Sequence, residues 1–548
     1  MIYLKLIVIF FTFLLLNEIS FSQPQREWVS QFNSGGSENE IVSDLKTDKE
    51  GNIYLCGSVQ YTSSLKDALL LKYNSSGVLL WSRTWRGTGV NVNESVGKKI
   101  LFDSEGFIYL MGTASITTNV LDFLLIKYAP NGDTVWARTF DGMNNNSDEA
   151  TDITIDQNDN IYITGILYKF SNTDIGVVKY DKYGSLKWYR NFLGINDNYA
   201  GSGQILNDSH YIFVVGGSFK DSINFFDITI LKYDTMGVPL DTFYYGSKIR
   251  EGAGLLAFDT KKNLIIGGGE NPGLPTRNNI VTMKINQSGE EIWYEIFNNN
   301  FDNFKEILYD MKTDNEGNPI VAARSRNTQT NRGEIALIKY DNISGDSIWS
   351  RKFNLVPFST DEPSKFSVDK DNNIYVIGST DSNFIFNRIL ILKYNPSGQL
   401  QWHLVYHPSV FSVSNGAVIL TDTLGNIYAC GTTSTKQTGD DIVLLKYSTM
   451  TEVYQVNTNI PGVYCLYQNY PNPFNSQTEI KFDLIKSGHY KIEVFDMLGR
   501  SVDLLFNEFK NAGSYIIKFN AFDLSSGVYF YKLSSPEVNI IKKFTLVK

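Results

Sequence analysis

Residues 51–81 read GNIYLCGSVQYTSSLKDALLLKYNSSGVLLW, and recognisable copies of this stretch recur almost to the C-terminus. Its core, GNIYLCG ending at Gly57, returns as GFIYLMG at Gly112, DNIYITG at Gly165, YIFVVG at Gly216, LIIGG at Gly268, NPIVAA at Ala323, NNIYVIG at Gly378 and GNIYACG at Gly431. A lysine after an apolar run keeps the same beat at Lys72, Lys127, Lys179, Lys232, Lys284, Lys339, Lys393 and Lys446, and Tyr follows it in every copy except at Ile285. The period is about 53 residues, in the range of solenoids, propellers and arrays.

Each repeat reads as four short strands. In the second they are 98–102, 107–112, 123–128 and 134–140, with Gly106 and Gly132 in the turns that join the first pair and the last pair. Four antiparallel strands per repeat, with no helix between, predict the blades of an all-β propeller. The fourth strand carries Trp at Trp81, Trp136, Trp188, Trp293, Trp349 and Trp402, with Asp241 as the exception, and the eighth repeat stops after Tyr447 without one. The segment EWVSQF at 27–32 resembles the fourth strand TVWARTF of the second repeat. An eight-bladed ring whose N-terminal strand completes the last blade is the expectation, since closure removes two sheet edges. The expected propeller covers 23–447.

The 548 residues carry a net charge of −9, with 42% hydrophobic and 14% aromatic residues, which excludes disorder and offers no basic face for nucleic acid. Residues 1–22 have the form of a signal peptide, with Lys5 before the apolar run 6–16 and small residues at Ser20 and Ser22. No later stretch is long and apolar enough for a membrane helix. Cys56, Cys430 and Cys465 imply no disulfide framework.

Beyond the repeats, 448–466 reads as a linker, and 467–548 as about seven short strands of a small immunoglobulin-like β-sandwich. This last segment resembles the type A C-terminal sorting domain of the type IX secretion system of Bacteroidetes-type bacteria. The resemblance rests on YPNPFN with Pro471, Asn472, Pro473 and Phe474, on DMLGR with Gly499, on the Ala512-Gly513 turn, on SSGVY with Gly527, and on the terminal KKFTLVK ending at Lys548. Ser476 departs from the Pro that many members carry there. The resemblance implies the secretion machinery as partner, passage across the outer membrane, removal of the domain, and a secreted product that is extracellular or attached to the cell surface. Through D..GNIY..G and LLKY...G...W the repeats resemble SBBP-type propeller repeats of secreted bacterial proteins, a family that implies the fold and no chemistry.

The histidines, His210, His403, His407 and His489, have no metal-ligand spacing, and no nucleophile elbow, P-loop or dinucleotide fingerprint occurs. The turns DQNDN at 156–160 and DKDNN at 369–373 begin like calcium loops but lack the sixth-place Gly and the distal Glu, and read as hairpin tips. The connections between second and third strands vary from repeat to repeat, which predicts one variable face for a glycan or protein ligand; Arg277, Arg324, Arg326 and Arg332 place basic groups there that suit an acidic glycan. Counting back 17 or 18 residues from each Gly landmark reaches Glu40, Glu94, Asp148, Glu251, Glu306 and Asp361. Gathered at a channel mouth they would favour a metal ion such as Ca²⁺ or a basic group; the other reading is that each only accepts backbone N–H groups. No catalytic residue and no other cofactor is expected. The functional reading is a surface scaffold for binding or adhesion. The alternative is a secreted propeller enzyme, either a glycan hydrolase or lyase, or a dehydrogenase suggested by the likeness of the G…W strand to quinoprotein repeats, although this chain lacks the adjacent cysteine pair of those enzymes.

Overall fold

Alternating Gly-containing turns and apolar runs leave each strand one course, to pair with the strand on the far side of its turn. The computed structural model describes residues 24–547 apart from 36–37, 63–64, 88–93, 117–119, 143–145, 170–171, 195–199, 220–225, 247–249, 272–277, 299–305, 328, 331, 382–386, 409–411, 435–438, 449–452, 458–460, 476 and 522–523. Among the described residues every regular element is a strand, and two compact units form, Gln25–Thr449 and Met450–Lys548. No helix there is long and apolar enough to cross a membrane. The expected signal peptide lies outside the described residues.

Within Gln25–Thr449 the described strands assemble into eight four-stranded antiparallel sheets. We number them I to VIII by their first strands: Asn39–Thr47, Ser95–Phe102, Asp148–Ile155, Ala200–Asn207, Arg250–Phe258, Ile307–Thr313, Asp361–Val368 and Val413–Thr421. Sheet I continues through Ile53–Thr62 and Leu65–Tyr73 to Leu79–Trp85, and sheets II to VII repeat the meander. Sheet VIII takes three strands from its own repeat and a fourth, Gln25–Phe32, from the other end of the unit; Trp28 lies opposite Lys446 and Phe32 opposite Ile442.

The Gly landmark has a steric cause. In sheet I the first strand bulges between Val42 and Asp44, opposite Gly57, and a Cβ on Gly57 would stand 1.7 Å from the Ile41 carbonyl oxygen. The same register shift recurs in every first strand, and only sheet VI places Ala (Ala323) opposite it. A second glycine, at positive φ in the turn between third and fourth strands, gives the recurring Trp its seat. A Cβ on Gly132 would lie 2.9 Å from the Trp81 ring of the preceding sheet, and Gly184, Gly237, Gly345 and Gly398 sit in the same way against Trp136, Trp188, Trp293 and Trp349. Two residues after the Trp, Arg83 Nε donates to the Gly132 carbonyl at 2.7 Å, a bond repeated by Arg138, Arg190 and Arg351. Sheet IV, which has Asp241 at the Trp position, substitutes Phe243 against Gly289, with Tyr245 Oη donating to its carbonyl. Trp28 and Ser30 of Gln25–Phe32 occupy Gly77 of sheet I alike.

Second and third strands are buried on both faces, which is why they read as nearly unbroken apolar runs. Ile53, Leu55 and Val59 pack with Tyr428, Cys430 and Leu444 of sheet VIII, while Tyr54, Cys56 and Leu70 pack with Ile100, Ile108 and Leu110 of sheet II. Cys56 and Cys430 are free and buried in these two different interfaces.

The C-terminal unit holds two four-stranded sheets, one ordered Val453–Asn457, Gly513–Asn520, Gln477–Leu484, Cys465–Leu466, the other Ser501–Lys510, Gly488–Phe495, Gly527–Ser534, Asn539–Leu546. One core runs between them, with Phe482, Ile492, Phe506, Tyr515 and Phe544 at its centre. The stretch 448–466, expected as a linker, therefore contributes two strands to this unit; each is too short to show a periodic pattern in the sequence.

Candidate functional site

Most of the recurring charge is spent on the hairpins themselves. In sheet II, Asp103 Oδ1 accepts N–H groups of Glu105 and Phe107 at 3.1 and 2.8 Å, and Oδ2 accepts Tyr109 Oη. Lys127 pairs with Asp103 at 2.9 Å, lies over the Tyr109 ring, and donates to the Lys182 carbonyl in sheet III. The landmark lysine is therefore a tie between sheets. In sheet V burial works against the charge on Asp259, but Lys284 at 2.7 Å and the Asn263 amide more than offset it and hold the carboxyl below its usual range. The two calcium-like turns use their oxygens in the same way: Asp156 accepts from the N–H groups of Asn158 and Asn160 and from Tyr162 Oη, and Asp369 from Asp371, Asn373 and Tyr375.

The six carboxylates expected at a channel mouth take several positions. Glu40, Asp148, Glu306 and Asp361 stand at the start of the first strand, all buried. Glu40, Asp148 and Asp361 reach back six residues, to the N–H of Ser34 at 3.0 Å, Gly142 at 2.6 Å and Leu355 at 2.8 Å, and so fasten the connection that enters the strand. Glu306 accepts from Ser325 Oγ at 3.4 Å. Burial raises the pKa of all four carboxyls, Asp148 to about 6 and Glu306 to about 7. Glu251 shares their register, opposite Glu270, but its side chain lies outside the description. Glu94 does not share it: the register is 17 residues before the landmark throughout, the place belongs to Ser95, and Glu94, one residue earlier, pairs with Lys66 of sheet I at 2.8 Å. Among the described residues no three of the six approach one another; the one group of three acidic side chains whose oxygens converge is Asp122, Asp141 and Asp148, within 4.8 Å. Burial together with the charges of Asp141 and Asp148 raises Asp122 to about 7.

A second charged level, four residues before the hairpin Asp of sheets I, II, III, VI and VII, was not foreseen. Asp44 Oδ2 accepts the Ile100 N–H of sheet II, Asp152 the Ile205 N–H of sheet IV, and Asp310 the Phe366 N–H of sheet VII. Lys99 pairs with Asp152 at 3.0 Å; burial opposes its charge, but Asp152, Asp44 and, from sheet VI, Asp310 raise its pKa. Lys312 and Lys365 both reach Asp310, at 2.7 and 3.5 Å. The signal available in the sequence was a charged residue in an otherwise apolar strand position.

The variable connections fall largely outside the described residues, and Arg277 with them. Arg324 pairs with Glu362 of sheet VII, so this member of the basic group is neutralised by its neighbour; Arg326 and Arg332 also have partners.

In the C-terminal unit, motif residues far apart in sequence converge. Phe474 is buried against Phe519 and Phe544, its N–H donates to the Thr545 carbonyl at 3.1 Å, and its own carbonyl accepts from Val547 at 2.9 Å. Asn472 Oδ1 accepts the Thr545 N–H at 2.9 Å, and Gly527 pairs with Leu546, so three motifs share the last strand. Both Pro471 and Pro473 follow cis peptide bonds. Gly499, at φ +76°, closes the turn opened by Asp496, and Gly513 begins the strand Gly513–Asn520. A cleft of about 550 Å³ opens beside the motif, lined by Tyr470, Pro471, Gln477, Thr478, Glu479, Lys518 and Phe519. Lys548 lies outside the described residues.

Residues 468–547 match the family described as secretion system C-terminal sorting domain, and residues 348–385 match the beta-propeller repeat family. No curated protein matches the chain. Among solved structures it is similar to a Synechocystis apocarotenoid oxygenase (11% identity, 71% of this chain and 94% of that one, TM-score 0.38), to a polysaccharide lyase acting as an ulvan lyase (12%, 76% and 95%, 0.41), and to a puromycin hydrolase (10%, 75% and 61%, 0.42). Likeness at this level carries no argument about activity. The sorting domain marks a secreted protein, attached to the cell surface or released.

Proposed function

We propose that the chain is a secreted eight-bladed propeller, closed by its N-terminal strand, that serves as a binding or adhesion scaffold for a glycan or protein ligand after export by the type IX machinery. The observation that carries this reading is the sorting domain behind a set of eight like sheets, which presents repeated connections of differing sequence outside the cell. Closure is supported by the seating of Trp28 and Ser30 on Gly77, the arrangement that Trp81 and Arg83 make on Gly132. The cleft beside Pro471 offers the secretion machinery a surface to which Tyr470 and Pro471 of the motif contribute.

The ligand is tested by applying the purified protein to a glycan array and, in parallel, to glycosidase, lyase and dehydrogenase substrates. Saturable binding without turnover is the expected result. Turnover, with no quinone added, would overturn the scaffold reading.

A further inference from the structure

The third strand of each sheet carries a polar residue at one register position, opposite the residue two places after the Gly landmark: Asp67, Asp122, Asp174, Asp227, Asn279, Glu334, Arg388 and Asp441 in sheets I to VIII, all buried except the half-buried Arg388. An ionised carboxylate held there needs a positive or amide partner. Sheet I supplies Arg86, sheet III Lys169 with Asn191, sheet VI Lys352, and sheet VIII the amides of Gln31 and Asn33. Sheet II inverts the pattern. Arg86 follows the fourth strand five residues after Trp81, and the residue five after Trp136 is Asp141. Where sheet I places a guanidinium against Asp67, sheet II places a second carboxylate against Asp122, and Asp148 adds a third within 4.8 Å. Asp122 is 8% exposed, its carboxylate belongs to this group, and its buried Oδ1 meets no hydrogen-bond donor among the described residues. Asp148 is 1% exposed and anchored by the N–H groups of Gly142 and Tyr168, so it cannot swing away.

We infer that Asp122, Asp141 and Asp148 bind a hard divalent cation, of the Ca²⁺ type, in the place that Arg86 occupies in sheet I. Three carboxylates and no nitrogen or sulfur donor suit a cation that prefers oxygen, with water completing its shell. Asp141, exposed at the rim, is the entry side; Asp122, with its orphaned oxygen, is the group whose burial the ion makes tolerable. The site differs from a ring of six carboxylates at a channel mouth, since it lies where sheet II meets the first strand of sheet III and needs neither Glu40 nor Glu306.

The test uses the full secreted protein, freed of metal by chelator, with calorimetric titration of CaCl₂ and of MgCl₂ and melting curves with and without Ca²⁺. One equivalent of Ca²⁺ should bind and raise the melting temperature by mass action on the folded state. Asp122→Asn should weaken it at least about tenfold. Asp141→Arg recreates the pair of sheet I, so it should abolish the Ca²⁺ response while melting in chelator at or above the wild-type temperature. Glu40→Gln and Glu306→Gln should bind Ca²⁺ like the wild type. No heat and no shift in the wild type, or an unchanged affinity in Asp141→Arg, would overturn the assignment.

Discussion

At the scale of single residues, the polar groups of this chain are mostly structural, and their acidities carry a measurable signature. Glu306 is buried, with Ser325 Oγ as its one hydrogen-bond donor among the described residues, and burial lifts its pKa from 4.5 to about 7. The folded state therefore holds this proton more tightly than the unfolded chain does, and stability falls as pH rises from about 4.5 to 7. The loss is on the order of 3 kcal/mol once both states are ionised. Glu306→Gln should remove that slope, stabilising the N-terminal unit at pH 8 and changing little at pH 4.5. Tryptophan fluorescence in urea reads this cleanly, because all eight Trp residues precede Gln25–Thr449's end and none lies in the C-terminal unit. Equal pH slopes in wild type and variant would show that the carboxyl titrates normally.

At the scale of the element, the strand Gln25–Phe32 supports sheet VIII through a full antiparallel ladder and supports sheet I through Trp28 and Ser30 on Gly77. Deleting residues 26–32 should lower the melting temperature of the N-terminal unit far more than removing residues 448–548 does; calorimetry on both truncations checks it, and equal effects would exclude a closing role. The sequence made this strand legible because Trp, unlike a small apolar residue, marks the same packing job at either end of the repeats. It also exposed the Gly and Lys landmarks, one forced by a bulge and the other by a buried Asp. Register was less legible. The bulge opposite Gly112 leaves no residue type of its own, so a count allowing 17 or 18 residues took Glu94 for Ser95, and one residue along a strand turns a side chain to the other face. The Asp122, Asp141 and Asp148 group was hidden for a related reason: its members sit on different strands, and each alone reads as a polar strand end or turn.

At the scale of the whole molecule, the second of the two compact units carries the match to the sorting domain. Truncation after Tyr447 should leave the protein in the periplasm of its host, detected by cell fractionation and blotting, while the full chain reaches the medium or the surface. Mass spectrometry of the surface form should find no peptide ending at Lys548; recovering one would show that the sorting domain is retained. Convergence of Asn472, Phe474 and Gly527 on the last strand explains why motifs spread over some seventy residues act as one: none can form without the strand Asn539–Leu546.

The pairing of Gln25–Phe32 also decides how the protein bears mechanical load. A chain held at the surface through its C-terminal end and dragged by flow or by a ligand transmits tension into the N-terminal unit at Ser448, the end of Asp440–Ser448. Were that strand the border of its sheet, a single ladder would hold it. Instead it is flanked by Asn426–Ser434 on one side and Gln25–Phe32 on the other, so pulling it out means shearing two ladders at once. A strand borrowed from the far end of the unit turns the weakest point of attachment into a doubly bonded one.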